Sequence, residues 1–232
     1  MAKFVIGDIH GNYKALVQCF ERSGFNPLVD QLICLGDVVD GYPETKECIE
    51  LLSSVKDFIL INSNHDQWYL DWLRTGVQAY LWVSQGGQAT LKSVNHTFNQ
   101  QHLDFFNSAV PYYIDDQTNL FVHGGIEIGV PLKNQSVNDL MWNRQMIEYA
   151  WNCEQTKSCT IPKKLQGHAK YFIGHTTTEQ YGSLLPLKLC NVWALDTGAG
   201  FDGKLTIMNV NTEEYWQSDD GGGLYGVNQG RP

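Results

Sequence analysis

The sequence predicts an α/β fold. Short apolar runs of strand length recur along the chain, and in its first third each is followed by a segment with helical spacing of apolar residues. Each of these runs also ends on a cluster of polar and acidic residues, the place where parallel sheets bind ligands. The first run, Lys3-Phe4-Val5-Ile6, ends on Gly7-Asp8-Ile9-His10-Gly11; a helix follows from Asn12, with Leu16, Val17 and Phe20 on one face and Gly24 as its stop. The second, Gln31-Leu32-Ile33-Cys34-Leu35, runs into Gly36-Asp37-Val38-Val39-Asp40-Gly41. Pro43 then opens a helix whose apolar face carries Ile49, Leu51 and Leu52. The third, Phe58-Ile59-Leu60-Ile61, ends in Asn62-Ser63-Asn64-His65-Asp66, ahead of a helix rich in large side chains such as Trp68, Tyr69, Leu70, Trp72 and Leu73. This β-α-β-α-β-α order implies a largely parallel sheet with helices on its faces.

Beyond Gly76 the chain becomes aromatic and amide-rich around Trp82-Val83-Ser84-Gln85-Gly86-Gly87, with short helical stretches near Ala89–Val94 and His102–Phe106. This reads as a helical excursion that roofs or flanks the strand ends. Strands resume at Asn119-Leu120-Phe121-Val122, ending in His123-Gly124-Gly125-Ile126, and at Lys170-Tyr171-Phe172-Ile173, ending in Gly174-His175-Thr176. Leu189–Leu195 and Lys204–Val210 alternate as antiparallel strands do, around Asp196-Thr197-Gly198-Ala199-Gly200. The segment 219–232, with five glycines, is expected to be loosely held. No repeat or linker stands out, so 1–232 reads as one domain with a core over 3–210.

A chain of 232 residues with 43% hydrophobic content has ample material for a core. A net charge of −9 and only four arginines (Arg22, Arg74, Arg144 and Arg231) disfavour a nucleic-acid partner, whose phosphates need clustered cations. No basic leader precedes an apolar run, and no stretch approaches the ~20 apolar residues of a membrane span. A soluble cytoplasmic protein without a membrane partner is expected. The six cysteines form no C-x-x-C pair and are expected as free thiols; Cys153 and Cys159 are close enough in sequence to close a loop.

Asp8 and His10 lie two apart, so in extended chain both point to one side and together can grip a cation. Asp8, His10, Asp37, Asn64, His123 and His175 all stand at strand ends, enough ligands for two metals. A carboxylate shared between two divalent ions, here Asp37, lets them sit ~3.5–4 Å apart and act on one phosphoryl group. His96, His102 and His168 fall outside these clusters and read as surface or helix-face residues.

Gly7-Asp8-Ile9-His10-Gly11, Gly36-Asp37-Val38-Val39-Asp40, Asn64-His65-Asp66, Val122-His123-Gly124-Gly125 and Gly174-His175-Thr176 resemble, in order and spacing, the calcineurin-like metallophosphoesterases. Within them the chain is similar to the bacterial and bacteriophage branch of phosphoprotein phosphatases. The resemblance implies a β-sandwich of mixed sheets flanked by helices around a βαβαβ core. It implies two divalent ions, manganese first, with iron and zinc or nickel as alternatives. Asp8 and His10 would hold the first with Asp37 bridging, and Asn64, His123 and His175 would complete the second. His65 would be the general acid, oriented by Asp40. Arg144, in Met141-Trp142-Asn143-Arg144, matches a Trp-x-Arg phosphate clamp, with Asn64 the other substrate contact.

The chemistry implied is direct in-line hydrolysis, since metals lower the pKa of water toward ~7 and an imidazole titrating near neutrality can protonate an alkoxide. Two divalent cations against Asp8, Asp37 and one hydroxide leave about one positive unit, which attracts a phosphate dianion. The substrate implied is a protein phosphorylated on serine, threonine or tyrosine. The alternatives are a symmetrical dinucleoside tetraphosphate, whose bases Tyr42, Trp68, Trp82 and Trp142 could stack unless they pack the core, and an inactive phosphate-binding scaffold.

Two positions depart from the pattern. Gly41-Tyr42 follows Asp40 where the resemblance calls for Arg-Gly, so a second phosphate clamp is missing, with Arg74 or a lysine as its substitute. Ser63 stands where glycine precedes Asn-His; if that position needs a positive φ, serine is strained and the second metal site looser. On that reasoning Ser63→Gly should keep activity or improve metal retention.

Overall fold

A computed structural model of the chain describes residues 1–156 and 161–232. The first third forms β1 (Lys3–Ile6), α1 (Tyr13–Ser23), β2 (Gln31–Cys34), α2 (Thr45–Ser53), β3 (Asp57–Leu60) and α3 (Asn64–Thr75). The Asn12 side chain caps α1 and a left-handed Gly24 ends it, as the sequence indicates. The excursion follows as α4 (Tyr80–Trp82), a wide turn over Val83–Gly87, α5 (Gln88–Ser93) and α6 (Gln100–Asn107). Next come β4 (Tyr113–Ile114), β5 (Leu120–Phe121), α7 (Val137–Trp142), α8 (Gln145–Gln155), β6 (Tyr171–Ile173), β7 (Leu187–Leu189), β8 (Val192–Ala194), β9 (Thr206–Asn209), β10 (Tyr215–Gln217) and α9 (Gly221–Tyr225). Among the described residues no helix is long and apolar enough to cross a membrane.

The strands make two mixed sheets. In one, ordered β10-β9-β1-β2-β3, the first three strands of the chain run parallel and β9 lies antiparallel beside β1. In the other, ordered β4-β5-β6-β8-β7, the central β5, β6 and β8 are parallel and both edges antiparallel. Strand alternation sorts the core into layers. Phe4 and Ile6 of β1, Leu32 and Cys34 of β2 and Leu60 of β3 face the helices α1 to α3. Val5, Ile33, Phe121, Phe172, Trp193 and Met208 form the layer between the sheets. Leu120, Tyr171, Ile173, Val192 and Ala194 turn outward onto Leu140 of α7 and Met146, Ile147 and Ala150 of α8. Strands buried on both faces read as continuous apolar runs, which is why they were legible. Phe121 and Phe172 are neighbours across the β5–β6 ladder and stack at 4.8 Å with 7° between ring planes.

Leu189–Leu195 and Lys204–Val210 do supply antiparallel pairs, in different sheets: β8 pairs antiparallel with the hairpin strand β7 and parallel with β6, whereas β9 pairs antiparallel with β1 and β10. Alternation signals a half-buried strand but carries no information about its partner. The segment 219–232, expected to be loosely held, is packed. Tyr225 of α9 lies 4.6 Å from the Tyr42 ring, its hydroxyl donates to the Glu44 carboxylate, and Lys14 Nζ sits 4.2 Å from its ring centroid. Cys19, Cys34 and Cys48 are buried free thiols, and Cys153 and Cys190 are half-buried; Cys159, and with it the Cys153–Cys159 loop, lies outside the described residues.

Ser63 is not strained: its φ of −133° and ψ of 164° are ordinary extended values. It is buried, and its hydroxyl accepts the Asp37 N–H at 2.7 Å, pinning the turn after β2 to the end of β3. The positive φ belongs to Gly36 (+99°), where a Cβ would lie 2.4 Å from Ser63 Cβ. Ser63→Gly is therefore expected to cost ~1–3 kcal/mol, the penalty of orphaning a buried N–H, read as a lowered urea midpoint. Phe172→Ala, which opens a void between the sheets, is expected to cost ~3–5 kcal/mol in the same measurement.

Candidate metal centre

The carboxyl ends of β1, β2 and β3 in one sheet meet those of β5 and β6 in the other. His123 Nδ1 donates to the Leu35 carbonyl (2.8 Å) and the His175 N–H to Asp8 Oδ2 (2.8 Å), so both sheets are tied through the residues the sequence singles out. Asp8, His10 and Asp37 offer ligand atoms all within 4.8 Å of one another, and so do Asp37, His123 and His175. Asp37 belongs to both groups: Oδ2 lies 3.5 Å from His10 Nε2 and Oδ1 3.5 Å from His123 Nε2. Asn64 Oδ1 stands 2.9 Å from His123 Nε2, at the second group. All six predicted ligands are thus brought together.

Their protonation suits cations. His10 Nδ1 lies 3.1 and 3.0 Å from the Val39 and Asp40 carbonyls, and His123 Nδ1 is held by Leu35, so each ring carries its proton on Nδ1 and presents a bare Nε2. Burial lowers the pKa of His10 and His123 and, with the His123 imidazole beside it, brings His175 down to about 2. At Asp37 burial opposes charge, but the imidazoles of His123, His65, His10 and His175 prevail and hold its carboxyl well below the usual range. Asp8 goes the other way, raised by burial and by Asp196 and Asp37. Asp8 Oδ1 and His175 Nε2 are buried with no hydrogen-bond partner. Orphaned oxygen and nitrogen donors beside crowded buried carboxylates fit divalent metal ions, which would satisfy both atoms and neutralise the charge. Gly174 makes room for this, since a Cβ there would meet Asp8 Oδ1 at 2.0 Å.

The backbone pays for the convergence in strain. His10 (φ 54°), Asp37 (φ 49°), Asp40 (φ 71°) and His175 (φ 65°) are all left-handed, each costing ~1–3 kcal/mol unless the surroundings enforce it. Here the turns interlock: the Ile9 and His10 N–H groups both donate to the Asp37 carbonyl, Gly11 to Val38, and Tyr42 back to His10.

Beside the ligands, His65 Nδ1 lies 2.7 Å from Asp40 Oδ2, and the His65 N–H donates to Asp37 Oδ1 at 3.2 Å. Asp40 is buried and also accepts the Trp82 indole N–H (2.9 Å) and the Thr90 hydroxyl (2.8 Å). A cavity of about 220 Å³ opens onto this floor, lined by Asp37, Asn64, His65, Trp68, Leu81, Gln85, Trp142, Arg144, His175 and Arg231. Arg144 is therefore at the site, whereas Arg74, the proposed substitute cation, is bonded to Asn107 on the exposed surface at the far end of α3. Of the four aromatic residues considered for stacking, Trp68 and Trp142 line the cavity; Tyr42 and Trp82 are fully buried, with Tyr42 donating to the Phe201 carbonyl.

Sequence reasoning missed several members. Asp66 is buried and accepts the Val38 and Val39 N–H groups at 2.8 and 3.2 Å, fixing the turn that carries Asp37 and Asp40. Asp196 is buried near Asp8, with its carboxyl pushed up to about 6 by burial. It follows β8 as Asp8 follows β1, a signal that was available. Thr90, Trp82 and Arg231 had no local signal.

The chain matches the family model of the calcineurin-like phosphoesterases over residues 3–198. It is 25% identical to serine/threonine-protein phosphatase 1 of Salmonella typhimurium over 216 residues, which cover 89% of this chain and 91% of that protein. A stretch of 67 residues, 28% of this chain and 24% of the relative, is 39% identical to the symmetrical bis(5'-nucleosyl)-tetraphosphatase of Pseudomonas entomophila. The crystal structure of a metallophosphoesterase from Sphaerobacter thermophilus superposes with a TM-score of 0.57 at 17% identity, covering 95% of this chain and 89% of that one, a likeness of fold. The ligand geometry and the match over most of the chain agree: this protein belongs to the calcineurin-like phosphoesterase family.

Proposed function

We propose that the protein is a dinuclear metal-dependent phosphomonoesterase that removes phosphate from phosphoserine and phosphothreonine in proteins. The observation that carries the reading is Asp37, whose two oxygens face separate ligand groups next to the His65–Asp40 pair. The likeness to a serine/threonine phosphatase over 89% of the chain, against 28% for the tetraphosphatase, supports the choice of substrate.

In this reading Asp8, His10 and Asp37 would hold one metal ion and Asp37, Asn64, His123 and His175 would hold the other, manganese before iron and zinc or nickel. When bound, the pair supplies Lewis acidity and makes hydroxide available at neutral pH. His65 gives the proton from Nε2 to the departing serine or threonine oxygen. Asp40, bonded at Nδ1, fixes the tautomer and stabilises the imidazolium, and its other acceptors, Trp82 and Thr90, keep it aimed at His65. Arg144 receives the phosphoryl oxygens, with Asn64 beside them. The reading treats 1–232 as one domain working in the cytoplasm. A second reading, hydrolysis of a symmetrical dinucleoside tetraphosphate, is favoured by Trp142, which is 39% exposed, lines the cavity and meets Trp68 edge-to-face at 5.6 Å, a surface on which a base could stack.

With manganese added, kcat/KM for a phosphoserine peptide is expected to exceed that for diadenosine tetraphosphate. The reverse order selects the second reading, and no turnover of either, or of p-nitrophenyl phosphate, selects the scaffold. His65→Asn should lower turnover ~10²–10⁴-fold while metal analysis shows both ions retained; unchanged turnover removes His65 from the mechanism. Asp37→Asn should instead lose metal, measured directly in the purified protein.

A further inference from the structure

The cavity holds a cation that no motif announces. Arg231 arrives from the far end of the sequence, its N–H donating to the Gly200 carbonyl at 2.6 Å, so the segment after α9 is anchored at the rim of the site. Its guanidinium reaches Gln85 Oε1 with Nη2 (3.0 Å), stands with Nη1 3.4 Å from His10 Nε2, and lies 5.1 Å from the Phe201 ring centroid. Nε is buried and has no acceptor. This group faces the same cavity as Arg144.

The slot that admits it is made by Gly41 and Gly86, at which a Cβ would lie 3.0 and 3.3 Å from Arg231 Cγ. A side chain after Asp40 and the stem of Arg231 therefore compete for one space. The glycine at 41 that leaves the site without a guanidinium from that loop is what allows one to enter from residue 231.

We propose that Arg231 is a substrate-binding residue, the second guanidinium that grips the phosphoryl group opposite Arg144. The proposal rests on the phosphomonoesterase reading. Electrostatics gives the reason: a guanidinium next to the Nε2 that His10 offers to a metal ion is repelled by that ion, and an anion between the two turns repulsion into attraction. Nη1 and the second proton of Nη2, the two nitrogens at the end of the fork, then face phosphate oxygens, while the bond from Nη2 to Gln85 keeps the plane oriented.

The test is inorganic phosphate binding to the manganese-loaded protein by titration calorimetry, with metal content measured on the same samples. Arg231→Ala should weaken phosphate about 10- to 100-fold, the worth of a charge-assisted hydrogen bond, with metal content unchanged. Arg231→Lys should recover part of that loss, and Gln85→Ala should weaken phosphate several-fold in the same direction. Equal phosphate affinity in wild type and Arg231→Ala overturns the assignment. So does an Arg231→Ala protein that holds more manganese with no change in phosphate affinity, which would make Arg231 a competitor for the cation site. Because binding needs no turnover, a wild type that binds phosphate through Arg231 yet hydrolyses no p-nitrophenyl phosphate defeats the phosphatase reading and supports the binding role.

Discussion

The structure depends on keeping one carboxylate charged inside the protein. Asp37 is buried, and a lone carboxylate there would protonate rather than ionise. Four imidazoles from four different strand ends surround it and draw its carboxyl toward the charged form, and the His65 N–H donates to Oδ1. Those imidazoles come from both sheets, so the charge at Asp37 and the meeting of the sheets are one arrangement. The carbonyl of Leu35 on one sheet fixes the tautomer of His123 on the other, and Asp8 on the first takes the N–H of His175 on the second. Pulling the sheets apart would strand a buried charge, and removing the charge would leave several buried donors and acceptors unpaired.

This arrangement explains where the backbone is strained. Extended chain points successive side chains to opposite faces of the sheet, whereas a shared carboxylate needs them turned to a common point. Left-handed φ at His10, Asp37, Asp40 and His175 makes that turn. Glycine would adopt these angles freely but has no ligand atom to offer. The strain is held by rigid partners: Asp66 and Ser63 grip the turn after β2 by its N–H groups, and the β1 and β2 turns bond to each other. Residues that seemed to be departures or fillers are thus part of the support. Ser63 is the acceptor that Asp37's own N–H requires, and Trp82 is an indole donor that aims Asp40 at His65.

The site's outer wall has a different origin. Its cations are Arg144, at the start of α8, and Arg231, beyond α9, and neither stands on the strand ends that carry the ligands. A floor built on the strand ends of two sheets is rigid; walls brought in by later segments can vary without disturbing it. The glycines at 41 and 86 leave the space along which the stem of Arg231 runs.

The sequence alone determined the parallel βαβαβ core and the places of Asp8, His10, Asp37, Asn64, His123 and His175, because each is written locally: apolar runs fix strands, and these six lie within a few residues of a strand's end; His65 and Asp40 were paired only through the family resemblance. It also indicated the Asn12 and Gly24 boundaries of α1, since capping is chemistry between near neighbours. Only the tertiary structure decided that β8 and β9 enter different sheets, that Asp66 and Asp196 turn inward, that Ser63 is unstrained, and that Arg231 rather than Arg74 reaches the cavity. Those outcomes hang on contacts between residues as far apart as His10 and Arg231, and such contacts leave no period or spacing in the chain to be read.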